Sequence, residues 1–228
     1  NMIKKISKST ISLSPILDYL HKVDTVFARS KVIFTRSKST NTKIYSDSKY
    51  AIFRKIYPMP NNGQKERIVL FIGGNNRKEI IDFLFEYSKI LNDVNSALSK
   101  KVIISNFNNN FKKTNNASVI NLDDFIFFEN DIVITSGGLS FMESAYSGCR
   151  TINFFLENNH QKIADKNILE FDNVISTGVF NKSKEFIIEM DNALKYFYNT
   201  KNFKLNKNLK NFDMVGSNAI WDSIFNDK

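Results

Sequence analysis

The chain has 228 residues, 42% hydrophobic and 24% charged, which suits one large packed domain or one domain plus a fragment and argues against general disorder. The net charge of +9 favours anionic partners, but the lysines are spread, with short clusters only at Lys4–Lys8 and Lys201–Lys210, so the dense basic stripe of a nucleic-acid binder is absent. The single Cys149 excludes an intramolecular disulfide and a cysteine-based metal site, and His21 and His160 lack ligand spacing.

Residues 1–60 offer two candidate strands, Ile11–Leu13 and Lys31–Phe34, with a short helix over Leu17–Val23 between them. That is too little for an independent domain and reads as the tail end of an N-terminal domain with its linker. Pro58, Pro60 and Asn61-Asn62-Gly63 punctuate a boundary, leaving 61–228 as the main domain. From there short apolar runs recur at Ile68–Ile72, Val102–Ile104, Ser118–Ile120, Ile132–Ile134, Ile152–Phe155 and Val174–Ile175. Runs this short and without alternation fit strands buried on both faces of a parallel sheet.

Helical spacing appears between several of these runs. Arg77–Leu91 places Ile80, Leu84, Tyr87 and Leu91 on one face, and Ser183–Tyr198 does the same with Phe186, Met190, Leu194 and Phe197. Asp123–Phe128, Leu139–Ser147 and Gln161–Glu170 supply further helices, and Val215–Phe225 reads as a closing helix with Trp221 packed inward. Asn106–Asn116 is a polar, Asn-rich loop. Strands alternating with helices predict an α/β fold with a doubly wound parallel sheet.

The richest stretch runs from Asp131 to Gln161. A buried strand ends at Thr135, and Ser136-Gly137-Gly138 opens a helix. Ligands of open α/β sheets sit beyond the carboxyl ends of the strands, and free N–H groups at a helix start attract phosphate. On that helix Ser140, Glu143 and Ser147 share a polar face, while Phe141, Met142 and Ala145 face elsewhere. A carboxylate beside a diphosphate would be repelled, so Glu143 suits ribose hydroxyls one step away.

Gly137, Gly138, Ser140, Glu143, Gly148, the Thr151–Phe155 strand and Asn159-His160-Gln161 together resemble the donor-binding signature of GT-B enzymes related to the peptidoglycan N-acetylglucosaminyltransferase. The resemblance implies that Glu143 holds the ribose, the Gly137–Ser140 turn the phosphates, and Asn159 with Gln161 the sugar or nucleotide. His160 lies inside the signature, where it would touch the donor or cap the helix.

Lys49–Pro58 (KYAIFRKIYP), followed by a strand and the Gly73-Gly74 pair, is similar to the interdomain signature of the UDP-sugar hydrolase of pseudaminic acid synthesis and its spore-coat-polysaccharide relatives. The Phe212–Ile224 segment resembles their C-terminal ending, with Ile220 where that family has Arg. By the same resemblance Gly73, Gly74 and Asn75 face the cleft between domains. The family's Gly-rich loop with a catalytic His has no counterpart here, because His21 follows Leu17–Leu20, well past the first strand. No catalytic residue is therefore assigned.

The resemblance implies a Rossmann-like C-terminal half of a GT-B fold, with a UDP-sugar as substrate, no metal and no separate cofactor. The expected activity is hydrolysis or glycosyl transfer in bacterial surface-glycan or nonulosonate-type sugar biosynthesis. The alternative is a non-catalytic donor-binding subunit completed by a partner chain that supplies the N-terminal half. No run of about 20 apolar residues is present, and the N-terminus has no apolar signal core, so a cytoplasmic location is expected, with peripheral contact to an acidic membrane surface. Asn1 ahead of Met2 reads as a tag remnant or as a cut from something longer.

Overall fold

The computed structural model describes residues 9–31, 33–36, 41–53, 66–71, 77–94, 100–104, 117–120, 124–168, 171–200 and 216–226. In chain order the first strands are β1 (Ile11–Ser12), β2 (Ile16–Leu17), β3 (Thr25–Ala28), β4 (Phe34–Thr35) and β5 (Lys43–Ser46). There follow β6 (Arg67–Phe71), α1 (Lys78–Val94), β7 (Lys100–Ile104), β8 (Ala117–Ile120), β9 (Ile132–Ser136), α2 (Leu139–Tyr146) and β10 (Arg150–Phe155). The chain continues through α3 (Asn158–Ile168), β11 (Val174–Val179), α4 (Lys184–Asn199) and α5 (Gly216–Phe225). Two compact units result: Ile56–Glu157 with Asp172–Asn206, and Asn1–Lys55 with Asn158–Phe171 and Lys207–Lys228.

The larger unit holds a six-stranded sheet in the order β11-β10-β9-β6-β7-β8. Every neighbouring pair in it is parallel. Counted from β6, this is the strand order 3-2-1-4-5-6 of doubly wound dinucleotide-binding sheets, read from the opposite edge. β6, β9 and β10 are buried at every residue, as strands covered on both faces are, which explains their unbroken apolar runs. Ile68, Leu70, Ile132, Ile134, Ile152 and Phe154 face α1 and α4, meeting Ile80, Leu84, Tyr87, Phe186, Met190 and Phe197. Val69, Phe71 and Val133 point the other way, onto Phe125, Phe127 and Cys149.

The segment 124–128 is not the predicted helix. Phe125 and Phe127 are buried while Ile126 is 48% exposed, the period-two alternation of extended chain. The Ile126 carbonyl is taken by the Arg67 guanidinium at 2.8 Å, and the Phe128 N–H by Asp131 at 2.8 Å. Arg67, distant in sequence, and the nearby Asp131 replace the bonds a helix would have supplied.

The smaller unit contains more strand than the sequence suggests. β1, β3 and β5 form a parallel three-stranded sheet, and β2 pairs with β4. Thr10 ties the first pair together, its N–H and hydroxyl both donating to Asp24 at 2.8 Å. The predicted helix at Leu17–Val23 shrinks to a single 3-10 turn at Leu20–Lys22. Leu17 is drawn into β2, and the Thr42 hydroxyl reaches the Leu20 and Val23 carbonyls at 3.0 Å each. Carbonyls that a longer helix would have used are thus taken by a residue distant in sequence.

Two of the sequence segments singled out above meet in this unit. Tyr50, in a short turn capped by Asp47, is buried with Phe27 and Ile220 of α5, and its hydroxyl lies 3.3 Å from that of Ser223. A Cβ on Gly216 would lie 2.1 Å from the Ala51 carbonyl oxygen, so only glycine fits where α5 starts. Ile220 is a core residue. Trp221, expected inward, is 57% exposed and stacks on Phe225 at 5.0 Å. One residue further round the helix is about 100° away, so burying Ile220 turns Trp221 outward.

Candidate functional site

The sheet order reverses between β6 and β9, where Phe71 lies opposite Thr135. Beyond the carboxyl ends of strands at such a reversal is the usual ligand crevice of open α/β sheets. Both strands are followed in sequence by a Gly-Gly pair, Gly73-Gly74 and Gly137-Gly138. Gly73, Gly74 and Asn75 lie outside the described residues. Ser136, Gly137, Gly138, Ser140 and Glu143 are all brought to the end of β9 and onto α2.

The two glycines of the second pair have different reasons to be there. Gly137 extends the ladder, its N–H donating to the Phe154 carbonyl at 2.8 Å. A Cβ on it would come within 3.1 Å of the Phe155 ring, so this glycine makes room for packing. Gly138 has φ +102° and ψ −148°, a conformation that a side chain strains, yet none of the described residues lies within 4 Å of where its Cβ would be. Room beside an exceptional backbone thus falls at the N-cap of α2. Among the described residues no side chain caps this helix start. The first N–H groups of a helix have no acceptor within it, and together with the helix dipole they favour an anion.

The far end of α2 is closed. Gly148 has φ +79°, its N–H donates to the Ala145 carbonyl at 3.0 Å, and the Cys149 N–H donates to Ser144 at 3.1 Å. These are the paired bonds of a Schellman stop. The Asn173 amide adds bonds to the Ala145 and Cys149 carbonyls at 3.0 and 2.7 Å. Thr151 donates to the Ser144 hydroxyl at 3.0 Å and anchors the helix to β10.

The expected polar face of α2 is not a solvated one. Phe141 through Tyr146 are all buried, Glu143 among them at 6% exposure. Ser147 is also buried, and its hydroxyl donates to the Glu143 carbonyl at 2.7 Å. Ser140 alone of the three keeps partial exposure. A helix hydrophobic on three sides has little surface left for water, whatever its spacing implies.

Asn159, His160 and Gln161 fall in the first turn of α3, which starts three residues earlier than predicted and belongs to the smaller unit. All three are partly exposed. In the same unit the Ser30 hydroxyl donates to the Ile163 carbonyl at 2.6 Å, tying α3 to the chain beyond β3.

Sequence reasoning missed an ionic cluster at the opposite end of the large sheet. Arg67, at the start of β6, donates through Nε to Asp131 Oδ1 at 2.8 Å and through Nη2 to Oδ2. Its guanidinium also lies over the Phe128 ring, 4.2 Å from the centroid. Arg150, at the start of β10, donates to the Phe197 carbonyl at 2.8 Å and to Glu66 at 3.1 Å. Burial pushes the Asp131 carboxyl above its usual range, against the pull of Arg67. Burial likewise raises the Cys149 thiol well above its ordinary value. Asp131 precedes β9 in sequence, but nothing local announces its partner 64 residues away.

Among the described residues no group of three or more His, Cys, Asp and Glu is placed to hold a metal ion. No helix among them is long and apolar enough to cross a membrane. No protein-family model matches the chain, and no curated protein sequence matches it. Among solved structures it is similar to the spinosyn forosaminyltransferase SpnP, with a TM-score of 0.42 and 9% identity over 87% of this chain and 49% of that one. The chain thus spans about half the length of that protein.

Proposed function

We propose that the chain binds a UDP-sugar at the carboxyl ends of β6 and β9, as the donor-binding half of a GT-B-type enzyme, and acts on it by hydrolysis or glycosyl transfer. The observation that carries this reading is Gly138: a φ of +102° with no described residue within 4 Å of its Cβ position, at a helix start that no described side chain caps, next to the reversal of strand order. Such a position lets backbone come close to a ligand where N–H groups and a helix dipole converge.

In this reading the diphosphate sits against the first turn of α2. As the bond between the sugar and the diphosphate breaks, negative charge builds on the phosphate oxygens. N–H groups already oriented there stabilise that charge without having to reorganise. The chain's own contribution is thus to the leaving group. Glu143 is assigned to the ribose, because a carboxylate accepts hydroxyl protons and repels phosphate. The choice of uridine, and of a surface-glycan or nonulosonate-type pathway, rests on the sequence resemblances alone.

Thermal unfolding with UDP, GDP and CDP tests the reading. A ligand present at a hundredfold excess over its dissociation constant stabilises by about 2.7 kcal/mol. UDP is expected to raise the melting temperature more than GDP or CDP. No response to UDP would remove the proposal. With binding established, Glu143→Ala should weaken UDP by about tenfold, the value of a lost hydrogen bond to a charged acceptor. An unchanged affinity would dismiss the ribose assignment.

A further inference from the structure

Asn153 sits in the middle of β10 with no exposed surface, and neither its amide nitrogen nor its amide oxygen has a hydrogen-bond partner among the described residues. Buried amides are nearly always paired, and leaving one unpaired costs free energy. The neighbouring polar groups are turned elsewhere. The Thr151 hydroxyl serves Ser144, the Thr177 hydroxyl points at the Asn153 backbone carbonyl at 3.5 Å, and the Thr135 hydroxyl points at the Ser136 carbonyl at 3.3 Å.

Strand geometry says where this amide lies. Thr151, Asn153 and Phe155 share one face of β10, since side chains alternate along a strand. Thr151 is bonded to Ser144 in the second half of α2, and Phe155 lies against Gly137 just ahead of its first turn. Asn153 falls between these two contacts. It is therefore beneath the first half of α2, the end that starts at Gly138.

We infer that Asn153 is a positioning residue of the ligand site at the α2 N-terminus, its amide holding an enclosed water that hydrogen-bonds the bound nucleotide's diphosphate. Enclosed waters characteristically bond to buried polar groups that the protein leaves unpaired. Asn suits the task because its amide both donates and accepts, whereas an aliphatic side chain would do neither. The amide thus gives the site a polar floor, and the cost of leaving it without a protein partner is borne by the rest of the fold. The inference rests on the reading of this helix end as the phosphate site.

The test compares wild type with Asn153→Val and Asn153→Ala, by thermal unfolding without ligand and by calorimetric titration with UDP. Val suits a buried strand, and the change breaks no protein–protein hydrogen bond, so the unliganded melting temperature should hold or rise. UDP affinity should fall by about tenfold in both variants, the equivalent of one hydrogen bond. UDP affinities within twofold of wild type would overturn the inference and leave the donor-site reading standing. A lowered melting temperature with unchanged affinity would do the same, by showing a purely structural role. If wild type itself does not bind UDP, both the donor-site reading and the inference fall. The smaller Ala substitution keeps the test open should the Val variant not fold.

Discussion

The two ends of the large sheet are built on opposite principles. At the amino ends of β6, β9 and β10 the charged groups are closed on one another: Arg67 on Asp131, Arg150 on Glu66 and the Phe197 carbonyl. At the carboxyl end of β9, among the described residues, groups are left open: a helix start without a side-chain cap, a glycine with room around it and, just below, an amide without a partner. Paired charges hold the strands in register and have little to offer a ligand, although Asn173 Oδ1 at that end also lacks a partner among the described residues. An unsaturated end costs stability and has something to offer. The contrast separates residues whose loss should unfold the protein from those whose loss should silence it.

The largest expected effect lies at the saturated end. Asp131→Ala leaves the Arg67 guanidinium buried without its carboxylate, which should cost about 3–5 kcal/mol. Urea denaturation measures this, and a change below about 1 kcal/mol would mean that water replaces the carboxylate readily. A second substitution moves to the open end. Gly138→Ala forces a side chain onto a backbone at φ +102°, at about 1–3 kcal/mol, and should also abolish UDP binding. Gly137→Ala meets only the edge of the Phe155 ring and should keep binding. If both alanine variants bind UDP equally well, the special role given to Gly138 is wrong. The smallest effect tests the closed end of α2. Asn173→Ala removes two bonds to helix-terminal carbonyls and should cost about 1–2 kcal/mol, with UDP affinity unchanged.

The legible parts of this protein are those where one residue's own neighbours in sequence decide its state. The runs at Ile68, Ile132 and Ile152 announce β6, β9 and β10, because a strand covered on both faces needs no alternation. Ile80, Leu84 and Tyr87 announce α1 by spacing, and all three are in the core. β3 and β5 were not legible: four residues each are too few to show a period, and Lys43–Ser46 is not even apolar. The Phe125–Phe128 stretch is apolar at every position in sequence, so the alternation of extended chain shows only in its burial, where Ile126 turns outward and gives its carbonyl to Arg67.

The candidate site divides in the same way. The sequence by itself placed Ser136-Gly137-Gly138 between a strand and a helix, because an apolar run, two glycines and a helical spacing are all local signals. It also implied that Gly148 ends that helix, which the positive φ bears out. Tertiary structure alone decided which strands are neighbours, and hence that the Gly-Gly pairs follow the two strands where the order reverses. It decided that Glu143 is buried, that Gly137 yields to Phe155, and that among the described residues Gly138 stands open and Asn153 has no partner. The physical reason is common to all of these. Burial and pairing depend on side chains tens of residues away, brought within a few ångströms by strand register, and no window of sequence contains both partners.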